Sequence, residues 1–378
     1  MLKVFRYRLY PTTAQRERLE ATLETCRRFY NDCLGERKAV YETEGRTVGK
    51  VEQLRRVKVH KVNNPFAADV HSHILQVVVA DLQKAFDAFF RRVQAGETPG
   101  YPRFKGVSRF RSFGLKEHGN GFKIDGRRLK LSGIGRIAVR WHRGIEGGKI
   151  KTVRICKKAG KWYAAFSCEV EAQPLRPVDT EVGIDAGLSS LFVLSSGEHV
   201  ENPRWYRESQ RKLRVLQRAA ARKKRGGANR HKAVAVLARF TEHVANQRKD
   251  FLNKLASTLV CCFGRIAVED LSIGRMAKGR FAKSILDAGW GYFRQRLQSK
   301  AENAGRTVAL VDPAYTTQDC CQCGHRQKLS LRERWYSCSC GNSRHRDENA
   351  ALNVLSAGRA VWASTSAVAG VAQEAAGL

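Results

Sequence analysis

The spacing of apolar positions changes period several times along the chain, and the changes mark its organisation. From Leu2 to Tyr10, Val4, Arg6 and Arg8 alternate with Phe5, Tyr7 and Leu9, the period of a strand. Pro11 stops that pattern, and Thr12 or Thr13 is placed to cap a helix. From Ala14 onward Leu19, Leu23, Cys26, Tyr30 and Leu34 recur at three and four residues, one helix face. A second such face runs from about Val70 to Arg92 through Ile74, Val78, Leu82, Phe86 and Phe89. Residues 12–97 therefore read as a helical lobe, closed by Gly96, Pro99, Gly100 and Pro102. Beyond it the period returns toward two. Arg127 to Trp141 and Lys149 to Val170 are rich in Val, Ile, Tyr and Phe, with a turn at Lys158-Ala159-Gly160-Lys161, and predict antiparallel strands. The isolated first strand is expected to join them. Residues 1–11 and 98–173 then form a β-barrel-like domain into which the helical lobe is inserted.

Pro174 and Pro177 mark a linker. Val182-Gly183-Ile184-Asp185 and Leu191-Phe192-Val193-Leu194, with a turn at Ser195-Ser196-Gly197, open a β-meander. Arg204 to about Arg225 predicts a very basic helix, broken at Gly226-Gly227-Ala228-Asn229. A second helix runs on to about Cys261 through Leu237, Val244, Phe251, Leu255 and Leu259. Strand signals return at Arg265 to Glu269 and Val308 to Val311. Strands mixed with helices imply an α/β sheet over 178–312 and 345–360. Residues 313–344 carry the cysteines as a separate insertion, and the Ala/Gly-rich stretch 361–378 reads as a disordered tail.

Length and charge narrow the function. A chain of 378 residues holds about two to three domains. Its 69 Lys+Arg against 35 Asp+Glu give a net charge of +34. Self-repulsion on that scale calls for a polyanionic partner, and nucleic acid is the common one. The basic residues are spread along the whole chain rather than gathered beside an apolar anchor, which argues against a membrane surface. A hydrophobic fraction of 43% excludes a basic disordered tail protein. No run approaches the roughly 18 apolar residues of a membrane span, and the N-terminus lacks the apolar core of a signal peptide. The expectation is a cytoplasmic, nucleoid-associated protein in a reducing compartment, where five cysteines between Cys320 and Cys340 read as metal ligands before disulfides.

Three acids stand out by position. Asp185 and Glu269 end strands, and Asp347 opens a helix whose apolar face is Ala350, Ala351, Val354 and Leu355. Singly, Asp347 reads as a helix N-cap, Glu269 as a surface carboxylate and Asp185 as a turn residue. Together they offer converging hard oxygen ligands for Mg²⁺ or Mn²⁺, and a metal pair would serve phosphodiester chemistry. Cys320-Cys321-Gln322-Cys323-Gly324 and Cys338-Ser339-Cys340-Gly341 approximate the two knuckles of a zinc ribbon, with Cys320, Cys323, Cys338 and Cys340 as ligands to one structural Zn²⁺. The second knuckle is one residue short, and Cys321, His325 or His345 are alternatives should it fail. Arg222, Lys223, Lys224 and Arg225 end a helix almost free of acids, which points to phosphate contact. Arg103 and Lys105, interleaved with Tyr101 and Phe104, suit nucleic-acid backbone contact with stacking.

These blocks, in this order, resemble TnpB, the accessory protein of bacterial and archaeal insertion sequences and a relative of type V CRISPR effectors. The resemblance rests on Tyr7-Arg8-Leu9-Tyr10-Pro11-Thr12, Arg27-Arg28-Phe29-Tyr30-Asn31, Pro102-Arg103-Phe104-Lys105, Val182-Gly183-Ile184-Asp185-Ala186-Gly187 and Asn246-Gln247-Arg248-Lys249-Asp250-Phe251-Leu252. It continues through Val268-Glu269-Asp270-Leu271, Tyr315-Thr316-Thr317-Gln318, both knuckles and Arg346-Asp347-Glu348-Asn349-Ala350-Ala351. It implies a multidomain α/β protein: a wedge β-barrel with an inserted helical recognition lobe, then an RNase H-like RuvC nuclease domain with an inserted zinc ribbon. It implies Asp185, Glu269 and Asp347 as catalytic acids holding two Mg²⁺ or Mn²⁺ ions. It also implies a guide RNA from the end of the element, and a double-stranded DNA target cut beside a short fixed motif. A monomer is the favoured oligomeric state. His345 stands where that family usually has Asp, and Asn253 where it usually has His. A nuclease-dead, RNA-guided repressor and a transposase with strand-transfer activity are the competing expectations; all three acids being present argues against the first.

Overall fold

The computed structural model of the chain describes residues 1–376 apart from 108, 146, 147 and 331, with side chains as far as 365. The chain divides into two units, Met1–Glu171 and Ala172–Leu378.

The first unit begins with β1 (Leu2–Tyr10), whose Phe5, Tyr7 and Leu9 are buried in alternation. Next comes α1 (Thr13–Glu44), opened by a capping box: the Thr12 hydroxyl accepts from the Gln15 N–H and the Gln15 side chain accepts from the Thr12 N–H. Its buried face holds Leu19, Leu23, Cys26, Tyr30 and Leu34, the stripe expected from spacing. Two helices lie outside what periodicity predicts, α2 (Lys50–Asn63) and α3 (Pro65–Ala68). The reason is a polar seam. Buried Arg37 of α1 donates to Gln53 of α2 at 2.9 Å and to Gln83 at 3.0 Å, and hydrophobic periodicity carries no signal for such a contact. Gln83 lies on α4 (Ser72–Gln94), which buries Ile74, Val78, Leu82 and Phe86 as expected.

The chain then forms β2 (Ser112–Leu115), β3 (Glu117–His118), β4 (Gly121–Asp125), β5 (Arg128–Leu131), β6 (Gly135–Arg140), β7 (Lys149–Lys158) and β8 (Lys161–Glu169). Among the described residues these make an eight-stranded sheet in the order β2-β7-β8-β1-β6-β5-β4-β3. β1 pairs antiparallel with both β6 and β8. The helices therefore lie between the first strand and its sheet partners in sequence. Strand and helix side chains share one core around Tyr7, Trp162, Phe166, Leu19 and Leu82.

The second unit opens with β9 (Glu181–Asp185), β10 (Ser190–Leu194) and β11 (His199–Glu201), then α5 (Trp205–Ala221) and α6 (Ala228–Cys262). β12 (Arg265–Glu269) follows, then α7 (Ile273–Met276), α8 (Ala282–Ala288), α9 (Trp290–Ala304) and β13 (Thr307–Val311). A small hairpin, β14 (Trp335–Ser337) with β15 (Ser343–His345), leads into α10 (Arg346–Ala376). The main sheet has the order β11-β10-β9-β12-β13; β9, β12 and β13 run parallel and β10 and β11 alternate against them.

The period of two divides this sheet between two cores. Val182, Ile184, Ile266 and Val268 face one core with Leu252, Phe293 and Leu297 of the α6 and α9 helices. Ala267, Ala309 and Val311 face the other, with Val354, Leu355 and Trp362 of α10. Burial of Trp362 and the helical backbone to Ala376 differ from the tail expected from 361 onward. An aromatic side chain packed on the sheet extends the helix past the point where sequence composition loses its pattern. Among the described residues, no helix is long and apolar enough to cross a membrane.

Candidate functional site

Asp185 and Glu269 belong to the α10 face of the sheet. Val268 pairs with Ile184 in the parallel register of β12 and β9, so one residue further on Glu269 stands beside Asp185. The same row continues through Val193, which pairs with Asp185 on one side and His199 on the other, and through Val311, which pairs with Glu269. Paired residues in a ladder share a face. Asp347, in the first turn of α10, heads the helix face that carries Ala350, Ala351, Val354 and Leu355 onto this side of the sheet.

Glycine sets how closely that helix approaches. A β-carbon on Gly183 would lie 2.2 Å from the Ala351 carbonyl oxygen, and one on Gly358 would lie 2.4 Å from the Ala267 β-carbon. The Val-Gly-Ile-Asp sequence thus supplies a strand whose missing side chain admits the helix that brings Asp347.

The acids feel one another. Burial raises the Asp185 carboxyl well above the ordinary carboxylate range; the charges of Glu269 and Asp347 raise it further, and Arg346 opposes weakly. Burial also raises Glu269, against hydrogen bonds from the Thr316 hydroxyl and the Ala186 N–H. The single-residue readings of these acids are therefore replaced. Asp185 is a buried strand-end residue, only 5% exposed, and Glu269 is half-buried with two donors on its carboxylate. Asp347 is not the N-cap: its own N–H donates to the His345 ring Nδ1 at 3.3 Å, so His345 caps the helix and leaves the Asp347 carboxylate free of that task.

The four expected cysteines meet. The sulfurs of Cys320, Cys323, Cys338 and Cys340 all lie within 4.8 Å of one another. Cys320 to Cys340 is 3.6 Å and Cys323 to Cys338 is 3.5 Å, far longer than a disulfide. Tetrahedral zinc at a Zn–S distance of about 2.3 Å requires sulfur pairs about 3.8 Å apart, so the cluster fits that ion. The short second knuckle is made by a tight turn. The Gly341 N–H donates to the Cys338 carbonyl, the Cys338 N–H donates to the Asn342 carbonyl, and Gly341 adopts φ 90°. Gly324 does the same service after the first knuckle at φ 75°. Cys321 lies outside the cluster, with the Asn342 amide donating to its sulfur at 3.7 Å, and His345 caps α10. Although burial opposes it, hydrogen bonds from the Cys323 and Gln322 N–H groups and from Asn342 bring the Cys320 thiol down to about 6, while, against the His325 N–H, hydrogen bonds with Cys340 and Cys338 push the Cys323 thiol up to about 12.

Several residues at the site escape a reading of the sequence. The Thr316 hydroxyl donates to the Glu269 carboxylate at 2.8 Å. Asn349 and Asn342 are buried between the first knuckle and α10. His199 joins Glu348 at 3.1 Å and Ser190 at 3.3 Å. Isolated polar residues have no periodic signature, and only the Tyr315-Thr316-Thr317-Gln318 and Asn349-Ala350-Ala351 blocks mark two of them. Asn253, the other departure from the family pattern, donates to the Tyr292 hydroxyl at 2.9 Å.

The basic candidates differ in exposure. Arg222, which caps the C-terminus of α5, is exposed, as are Lys223, Lys224 and Arg225 in the turn that follows. Arg103 is exposed as well. Lys105 is half-buried: its backbone is clamped by the Asn31 side chain at 2.8 and 3.1 Å and by Arg27 at 3.1 Å, and its ammonium lies over Tyr30. The Arg27-to-Asn31 block and the Pro102-to-Lys105 block are thus two halves of one contact.

Three family models match. One described as "Probable transposase" covers residues 165–280, "Cas12f1-like, TNB domain" covers 290–354, and "Helix-turn-helix domain" covers 1–46. Over that last stretch the structure has a strand and one unbroken helix, α1. A "Putative RNA-guided DNA endonuclease" of Streptomyces pristinaespiralis is 35% identical over 370 residues, 96% of this chain and 90% of the relative. The "Putative RNA-guided DNA endonuclease InsQ" of Escherichia coli (strain K12) is 30% identical over 385 residues, 96% and 94% of the two chains. In fold, the chain is similar to the protein in a cryo-EM structure of a Cas12f1-sgRNA-target DNA complex, with a TM-score of 0.61 at 14% identity over 94% of this chain and 98% of that one. Identity at this level along nearly the full length of both relatives is more than a shared fold requires, and the chain belongs to the TnpB family.

Proposed function

We propose that this protein is an RNA-guided DNA endonuclease of a transposable element, and that Asp185, Glu269 and Asp347 hold two divalent ions, magnesium or manganese, at its active site. The observation that carries the reading is the cross-sheet row that sets Glu269 beside Asp185, beneath the helix that carries Asp347. The strand order, three antiparallel strands followed by two parallel ones, supports an RNase H-like RuvC domain. The eight-stranded sheet and its inserted helices are read as the wedge β-barrel and the recognition lobe. The cysteine-bearing segment is read as a zinc ribbon with one structural Zn²⁺.

The acid site fits divalent ions on its own chemistry. Its donors are hard carboxylate oxygens. Burial, with the charges of Glu269 and Asp347, raises Asp185 well above its usual value, and Arg346 offsets only part of that. When bound, such ions activate water and stabilise charge on the attacking and leaving oxygens of a phosphodiester. The residues supply the setting. Asp185, whose carboxyl feels the charges of both other acids, would hold the ions together with Glu269 and Asp347. Thr316 and the Ala186 N–H orient the Glu269 carboxylate. His345 caps α10 and aims Asp347.

Sequence choice belongs to the guide RNA. Delegating it to base pairing leaves the protein to recognise duplex geometry and a short adjacent motif. That division suits +34 of charge spread along the whole chain, with Arg222 to Arg225 and Arg103 exposed to phosphates. Replacing Asp185 by Ala tests the reading. It should abolish cleavage of a guide-matched duplex while guide-dependent binding persists, and cleavage near the wild-type rate would remove Asp185 from the site.

A second reading is favoured by one observation, the match of 165–280 to a model described as a transposase. Reaction with a marked donor end separates the two: joined products support strand transfer, and cut ends alone support the endonuclease.

A further inference from the structure

We infer that Asn349 is a positioning residue that couples the four-cysteine cluster to the acid site; the inference rests on the reading of Asp185, Glu269 and Asp347 as metal ligands. Asn349 is fully buried, two residues beyond Asp347 on α10. Its side-chain oxygen accepts from the Cys321 N–H and from the Asn342 amide, both at 3.1 Å, and its own amide donates to the Asp319 carbonyl at 2.7 Å. Asn342 is 2% exposed and also donates to the Cys320 sulfur at 3.3 Å. An unbroken path of hydrogen bonds therefore runs from a thiolate of the cluster through two carboxamides into the first turns of the helix that carries Asp347.

The path continues to the second acid. Asn353, one turn further along the same face of α10, donates to the Asp319 carbonyl at 2.7 Å and to the Thr316 carbonyl at 2.8 Å. Thr316 in turn donates its hydroxyl to Glu269. Asn349 thus sits where the cysteine knuckle, the Asp319 carbonyl and α10 meet, with one face of the helix on the sheet and the other on the knuckle. Buried carboxamides are used here in place of apolar packing because directional bonds fix the rotation and height of a helix, which an apolar contact leaves freer. Ligand-orienting partners of this kind typically change metal affinity or activity about 10–100-fold when removed.

The experiment uses the full chain loaded with guide RNA and compares wild type with Asn349→Ala and the near-isosteric Asn349→Asp. It measures zinc per chain, guide-dependent target binding, direct Mn²⁺ binding without turnover, and single-turnover cleavage across Mg²⁺ concentration. We expect zinc near one per chain and target binding within about twofold of wild type in at least one variant. In that variant Mn²⁺ affinity should fall about 10-fold or more, and cleavage should fall with it and recover in part at high Mg²⁺. Unchanged Mn²⁺ affinity would overturn the proposal. So would loss of zinc or of the native fold in both variants, since that reduces Asn349 to a structural amide. A parallel Asp185→Ala sample separates the underlying reading: if it binds Mn²⁺ as wild type does, the acid site itself is wrong.

Discussion

Gly183 and Ala351 touch through their backbones: a β-carbon on Gly183 would meet the Ala351 carbonyl oxygen at 2.2 Å. Neither residue carries chemistry, yet their contact fixes how near Asp347 comes to Asp185 and Glu269. Replacing Gly183 by Ala must move α10 by about 1 Å, and a displacement of that size at a reacting centre can cost about 100-fold in rate. We predict that loss in single-turnover cleavage by G183A, with guide-dependent DNA binding retained. Wild-type cleavage would mean that α10 does not set the geometry of the site.

The raised carboxyls predict a pH dependence of stability in the absence of divalent ions. Between the ordinary carboxylate range near pH 4 and their raised folded values, Asp185 and Glu269 bind more protons folded than unfolded. Stability from these groups is therefore greatest at the low end of that window and falls as pH rises through it. Asp185→Asn removes its share of that fall, so the variant should gain on wild type in thermal unfolding as pH rises above the ordinary carboxylate range near pH 4. Added Mg²⁺ should then favour wild type over the variant, because ion binding displaces the protons. A wild-type-to-variant difference that is flat in pH would contradict the electrostatics of the site.

Zinc at the four cysteines should support the region leading into Asp347. Cys323→Ser should lower the zinc content from about one per chain and speed hydrogen exchange from Ser343 to Leu355, since structural zinc contributes on the order of 10 kcal/mol in small domains. Metal analysis and exchange on the same sample check this, and active wild-type protein free of zinc would refute it.

The exposed basic turn predicts binding that is blind to sequence. Reversing Arg222, Lys223 and Lys224 to Glu should weaken RNA binding by a similar factor for guides of unrelated sequence. The slope of log affinity against log salt should shrink by about 0.7–0.9 for each phosphate that is no longer neutralised. Salt titrations on two guides measure both effects; weakening confined to one guide would point to base recognition instead.

Much of this is legible in the sequence, because period and spacing carry it. The face Leu19-Leu23-Cys26-Tyr30-Leu34 and the β1 alternation follow from apolar side chains that must be buried on one side, and the strands ending in Asp185 and Glu269 from short apolar runs buried on both. What escapes is built from polar contacts. α2 is held by Arg37 and Gln53, and α7 and α8 are only four and seven residues long, whereas α9 carries a full apolar stripe, Trp290-Phe293-Leu297-Ala301-Ala304, that the strand signals on either side overshadow. Reading Asp347 as its own cap fails because His is a rarer N-cap than Asp, and only geometry shows the ring nitrogen of His345 taking that role. Asn349 and Asn353 stand one turn apart on α10 and Asn342 in the turn before it, but none adds to an apolar stripe; their meaning comes from the partners they bond.

Exchanging the guide segment of the RNA while keeping the protein constant tests the central claim most directly. The guide-loaded chain should stop cutting the old target and cut the DNA matched to the new guide, provided the same adjacent motif is present, and protein stripped of RNA should cut neither. Cutting that stays at the old target, or that proceeds with RNA fully removed, would contradict the account.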